Sequence, residues 1–121
     1  MVKVLIVDDE DTILSLLSAI VSSMPEVTII RARDGQEAIA TAHKENPDLM
    51  LLDNKMPGIS GLEVCRSIKA DPALAHIRIL MLSCQGQNFN WQLAQDLGAA
   101  AYITKPFDTT ALLDKVKELT K

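Results

Sequence analysis

Short apolar, β-branched runs and amphipathic helical patterns take strict turns along this chain. The runs at 2–7, 27–32, 49–52, 77–82 and 100–104 are bounded by turn formers and charges and read as five strands. Between them the clearest helical pattern places Ile13, Leu16, Leu17, Ile20, Val21 and Met24 on one apolar face and stops at Pro25. A second helix starts at Asp34, with Glu37 three residues on as a capping-box partner, and is ended by Pro47. A third covers 62–70 and closes at Asp71-Pro72, and a fourth runs from Trp91 to Leu97 before Gly98. The last carries Leu112, Leu113, Val116 and Leu119 behind a cap at Asp108. Such alternation of nearly unbroken apolar strands with helices implies an α/β fold, a parallel sheet with helices on both faces. Five strands are too few for a closed eight-stranded barrel. With 121 residues, no linker and no repeat, one domain over 1–121 is expected.

Open α/β sheets bind ligands beyond the carboxyl ends of their strands, so the residues at those ends are the ones to read. Strand one delivers Asp8-Asp9-Glu10, strand three Asp53, strand four Ser83 and strand five Lys105. Strand two offers only the turn Arg33-Asp34-Gly35. Each acid alone could be a cap or a solvated loop charge, but their joint placement on the ligand edge points to a site. Like charges 4 Å apart cost about 4 kcal/mol at an effective dielectric near 20, so something positive belongs among them. Carboxylate and carbonyl oxygens suit a hydrated Mg²⁺, or Mn²⁺, whereas zinc would want Cys or His, and His43 and His76 stand apart in the sequence as surface residues. A divalent ion beside a nucleophilic carboxylate, one ammonium and one hydroxyl is what phosphoryl transfer needs. The product would be an acyl phosphate.

Three segments in order resemble the receiver domains of bacterial two-component response regulators. They are Val4-Leu5-Ile6-Val7-Asp8-Asp9-Glu10, Asp53-Asn54-Lys55-Met56-Pro57-Gly58-Ile59-Ser60-Gly61 (the D-x-x-M-P-x-x-x-G pattern) and Tyr102-Ile103-Thr104-Lys105-Pro106-Phe107. The resemblance extends from Lys3 to Leu119. It implies a doubly wound sheet of flavodoxin-like order 2-1-3-4-5, with Asp53 as phosphoacceptor. Asp9, Asp53 and the main-chain carbonyl of Lys55 would hold the metal directly, and Asp8 would act mainly through water on the ion. Ser83 would bind a phosphoryl oxygen, and Lys105, placed by a cis bond to Pro106, would pair with the phosphoryl group. Ser83 and Tyr102 would then switch the surface of helix four, strand five and helix five. Lys55 and Gln85, each two positions after a site residue, would tune the lifetime of the acyl phosphate. The implied partners are a histidine kinase or histidine phosphotransfer protein as donor, and a downstream protein or output domain as target. The chain would be a phosphoacceptor that assists its own phosphorylation and dephosphorylation.

Composition narrows the alternatives. A net charge of −4 and only four aromatic side chains, Phe89, Trp91, Tyr102 and Phe107, argue against nucleic acid. No apolar run is long enough to cross a bilayer, and Val7 leads into Asp8-Asp9 instead of a signal-peptide core, so no membrane association and a cytoplasmic location are expected. Cys65 and Cys84 lack C-x-x-C spacing and read as reduced, buried thiols. A haloacid-dehalogenase-like phosphatase would want a second Asp two residues after the nucleophile, where Lys55 stands. A flavodoxin-like carrier would want a Gly-, Ser- and Thr-rich loop where Asp8-Asp9 would repel phosphate. A receiver-shaped module that is never phosphorylated would not need every site residue. Because the sequence closes just after its fifth helix, a single-domain regulator or phosphorelay intermediate is expected.

Overall fold

The computed structural model describes residues 2–84 and 90–120, with Cys84 by its backbone only. Five strands alternate with five helices: β1 (Val2–Val7), α1 (Asp11–Val21), β2 (Val27–Ala32), α2 (Gly35–Glu45), β3 (Leu49–Asp53), α3 (Gly61–Ala70), β4 (Arg78–Cys84), α4 (Trp91–Asp96), β5 (Ala101–Lys105) and α5 (Thr109–Leu119). The strands are all parallel in the order β2-β1-β3-β4-β5, as the resemblance implied.

The unbroken apolar runs follow from burial on both faces. Leu5, Val7, Met50, Leu52, Ile79 and Met81 face a layer built from Ala38 and Ala42 of α2, Val64 and Ile68 of α3 and Ala94 of α4. Val4, Ile6, Leu49, Leu51, Leu80 and Leu82 face Leu14 and Leu17 of α1 and Leu112 and Val116 of α5. At about 1.5–3 kcal/mol for each large apolar side chain removed from water, these two layers supply the main drive for folding.

Four helices begin at side-chain caps. Asp34, Ser60, Asn90 and Asp108 each accept a hydrogen bond from the main-chain N–H three residues on. Glu37 does reach back, but to the N–H of Arg33 at 3.4 Å and not to that of its capping partner Asp34. α2 ends with Asn46 in the left-handed region, ahead of Pro47. α1 starts from Glu10 without a side-chain cap.

The apolar face of α1 differs from its sequence reading. Leu16 is 47% exposed, while Leu14 takes its place in the core beside Leu17, Ile20 and Val21, and Ile13 and Met24 lie at the edge of the layer. At 100° per residue the face through 14, 17 and 21 is offset from the one through 13, 16 and 20, and only packing decides between them. β4 and β5 also reach further than their apolar runs, so Ser83 and Lys105 are ladder residues and not the first residues beyond the strands. Among the described residues no helix is long and apolar enough to cross a membrane.

Candidate functional site

Asp8 directly follows β1, Asp53 ends β3 and Lys105 ends β5. From β1 the chain turns to α1 on one face of the sheet, and from β3 it turns to α3 on the other. This divergence opens a crevice at the carboxyl rim, where doubly wound sheets take their ligands.

Lys105 is the charge centre. Its Nζ donates to Asp8 Oδ2 at 2.8 Å and to Asp53 Oδ1 at 3.3 Å. All three residues are nearly enclosed, with relative exposures of 0% for Asp8, 3% for Asp53 and 8% for Lys105. A buried cation with two carboxylates is tolerable because each charge has a partner, but one negative charge is in excess. The second oxygen of Asp8 accepts from the Glu10 N–H at 3.0 Å, which turns this acid inward while Asp9 and Glu10 stay exposed.

The titration behaviour follows from this packing. Burial pushes Asp53 up from 3.8 to about 6; the Lys105 charge and hydrogen bond oppose the rise, and the Asp8 and Asp9 charges add to it. Burial works against the Lys105 ammonium as well. The Asp8 hydrogen bond and the two carboxylate charges outweigh it and hold Lys105 above the ordinary lysine range.

A cleft of about 440 Å³ opens over this centre, walled by Asp9, Glu10, Asp53, Lys55, Met56, Pro57 and Lys105. One carboxylate oxygen from each of Asp8, Asp9 and Glu10 lies within 4.8 Å of the others, so the acidic loop could hold a metal ion. The donors here are hard oxygens that suit a hydrated divalent cation. The nitrogen and sulfur alternatives lie elsewhere: His43 pairs with Asp71 at 3.3 Å, and Cys65 is a buried free thiol. The residues present therefore fit Mg²⁺ or Mn²⁺ better than zinc.

The structure thus brings together Asp8, Asp9, Asp53, Lys55 and Lys105. Ser83 does not wall the cleft. It is buried in β4 one step beyond Leu82, the ladder partner of Asp53, and opposite Thr104. Tyr102 is 41% exposed on β5, its ring centroid 4.9 Å from that of Trp91 with the planes tilted by 38°. Gln85 and Phe89 lie outside the described residues, as does the side chain of Cys84. The Lys105–Pro106 peptide is cis, as expected. Sequence reading did not assign Glu10 to the cation cluster or Met56 and Pro57 to the wall. The position of Glu10 directly after the acidic pair was the available signal.

Comparison with known proteins agrees with this geometry. Residues 4–117 match the family model described as response regulator receiver domain. The chain is 37% identical over 117 residues to the alkaline phosphatase synthesis transcriptional regulatory protein PhoP of Bacillus subtilis, covering 97% of this chain and 48% of that protein. It is 35% identical over 120 residues to the response regulator PleD of Caulobacter vibrioides, covering 98% of this chain and 26% of PleD. The chain therefore spans half or less of these curated relatives. Among solved structures, the chemotaxis protein CheY4 of Vibrio cholerae superposes with a TM-score of 0.89 at 29% identity, covering 98% of both chains.

Proposed function

This chain belongs to the response regulator receiver domain family of two-component signalling, and from that premise we propose that Asp53 is its phosphoacceptor within a single receiver unit spanning 1–121. The observation that carries the reading is the placement of Lys105, bonded at once to Asp8 and Asp53 at the floor of an open acidic cleft.

Catalysis here is mainly positioning and charge. A carboxylate oxygen of Asp53 attacks the phosphorus of the donor in line. The bond from phosphorus to the donor oxygen or nitrogen breaks, the leaving group keeps the electron pair and takes a proton from solvent, and an acyl phosphate forms on Asp53. Lys105 is held more closely by Asp8, at 2.8 Å, than by Asp53, at 3.3 Å. Its ammonium can therefore turn from Asp53 Oδ1 to a phosphoryl oxygen while Asp8 keeps it in place. Asp9, Asp53 and the main-chain carbonyl of Lys55 would hold Mg²⁺, or Mn²⁺, with Asp8 and Glu10 beside them. When bound, the ion supplies a second positive charge against the phosphoryl oxygens.

The donor in this reading is a histidine kinase or a histidine phosphotransfer protein. Ser83 engages a phosphoryl oxygen, Tyr102 turns inward, and the α4, β5 and α5 surface changes its affinity for a downstream protein or output domain. Only a few kcal/mol of differential binding is needed to reweight two such conformers. Lys55 at the cleft mouth, with Gln85, sets how long the phosphoryl group survives. A net charge of −4 favours protein partners over nucleic acid. The buried free thiol of Cys65 agrees with a reducing, cytoplasmic setting. The chain acts as a phosphoacceptor that assists its own phosphorylation and dephosphorylation.

Incubation with acetyl phosphate tests the reading by intact mass. One phosphoryl group should be added in Mg²⁺, and Asp53→Ala should not acquire it. Equal labelling rates in EDTA and in Mg²⁺ would refute the metal role, and full labelling of the Ala variant would refute the acceptor.

A further inference from the structure

The β2–α2 turn, Arg33-Asp34-Gly35, lies on the same rim but contributes no group to the phosphoryl site. Its contacts nevertheless reach both loops that border the cleft. On one side Arg33 Nη1 pairs with Asp11 Oδ1 at 2.8 Å, just after the acidic loop. On the other, buried Gly35 opens α2 directly against Ile59 and Val64. A Cβ on Gly35 would overlap Ile59 Cγ1 and come within 2.9 Å of Ile59 Cδ1 and 2.8 Å of Val64 Cγ2. Ile59 belongs to the 54–60 segment that directly follows the acceptor and carries Lys55.

The same segment is fixed tightly at its ends. Asn54 N–H donates to Leu82 O at 2.8 Å, and Gly61 N–H donates to Asn54 O at 2.9 Å. A Cβ on Gly61 would stand 2.8 Å from Asn54 Cα. Between these anchors Gly58 turns the chain at φ 81°. Met56 anchors the near half of the segment in the core, and the seat of Ile59 on Gly35 is the side support of its far half.

We propose that Gly35 is a positioning residue for the cation site: its bare Cα seats Ile59, and the seated Ile59 fixes the 54–60 segment that presents the Lys55 carbonyl. The proposal rests on the metal reading above and deepens it. Arg33 contributes little, because its pair with Asp11 is largely exposed and exposed pairs stabilise weakly. Alanine suits a helix better than glycine by about 1 kcal/mol, so harm from Gly35→Ala must come from the clash and not from backbone propensity.

Two measurements separate the brace from the metal. In apo protein, Gly35→Ala should shift the ¹H–¹⁵N resonances of Asn54, Lys55 and Met56, whereas Arg33→Ala should leave them in place. By calorimetric titration, Gly35→Ala should weaken Mg²⁺ binding about tenfold, the low end for residues that support metal ligands. Ile59→Ala, which empties the seat, should also weaken it. Adding Gly35→Ala to Ile59→Ala should lose less affinity than Gly35→Ala does alone, since the clash with Ile59 is then gone and only the contact with Val64 Cγ2 at 2.8 Å remains. A folded Gly35→Ala with native amide positions at 54–56 and native Mg²⁺ affinity overturns the proposal. If Gly35→Ala does not fold, unchanged affinity in Ile59→Ala overturns it instead. Should the native chain bind no Mg²⁺, the metal reading fails, and the apo amide shifts alone decide whether Gly35 positions the segment.

Discussion

Replacing the acceptor by its neutral isostere should stabilise the apo fold. Asp53 is raised from 3.8 to about 6, chiefly by burial, so its ionisation works against folding. At 1.36 kcal/mol for each tenfold change, that shift corresponds to about 3 kcal/mol. The sign follows from linkage: the native state binds the proton more tightly than the unfolded chain does. The stability tied to a protonated Asp53 is therefore complete below 3.8 and is lost as pH rises through about 6. Asp53→Asn removes that loss and leaves Lys105 paired with Asp8 at 2.8 Å. Urea denaturation in EDTA should show a gain of about 3 kcal/mol at pH 7.5, shrinking to about 1 kcal/mol at pH 4.5, where native Asp53 is already mostly protonated. Saturating Mg²⁺ at pH 7.5 should narrow the gap, because it stabilises the native chain by mass action. A variant less stable than the native chain at pH 7.5, or a gain equal at both pH values, would refute the electrostatic reasoning.

Lys55→Asn should quicken loss of the phosphoryl group, because an amide oxygen at the cleft mouth can orient attacking water and an ammonium cannot; unchanged or slower decay at fixed pH and Mg²⁺ rejects this. Beryllofluoride with Mg²⁺ should change both Trp91 fluorescence and the Tyr102 side-chain resonances, since the two rings are in contact at 4.9 Å. If both stay fixed, the switch through Tyr102 is ruled out. Glu26 holds φ at 58°, a conformation that disfavours side chains by about 1–2 kcal/mol, so Glu26→Gly should raise the urea midpoint while keeping the Val2 N–H to Glu26 O bond. A lowered midpoint would show that the position is not strained.

Much of the fold is legible because each level of the sequence agrees with the next. Val4–Val7 and Leu49–Leu52 can be unbroken apolar runs only in a strand covered on both faces, and Asp34 and Asp108 cap the helices their spacing suggests. Asp8 and Asp53 are legible at the rim for the same reason, since a strand's end fixes where the next residue emerges, whereas Ser83 lies inside β4 and does not wall the cleft. What the residues alone do not carry is direction. Asp8 and Asp9 are chemically equal neighbours, yet the Lys105 and Glu10 hydrogen bonds turn Asp8 inward and leave Asp9 exposed. Leu16 and Leu14 are likewise equivalent until α1 meets the sheet. The seat at Gly35 joins residues 35 and 59, and no local periodicity reports such a contact.

The acceptor assignment is tested most directly by trapping the phosphorylated protein with borohydride, which reduces an aspartyl phosphate to homoserine, and locating the product by tandem mass spectrometry. Homoserine at position 53 alone, formed after treatment with acetyl phosphate and Mg²⁺ and missing from the EDTA control, is the expected result. Homoserine at position 8 or 9, or a stable phosphate on a hydroxyl residue with position 53 unmodified, would contradict the assignment.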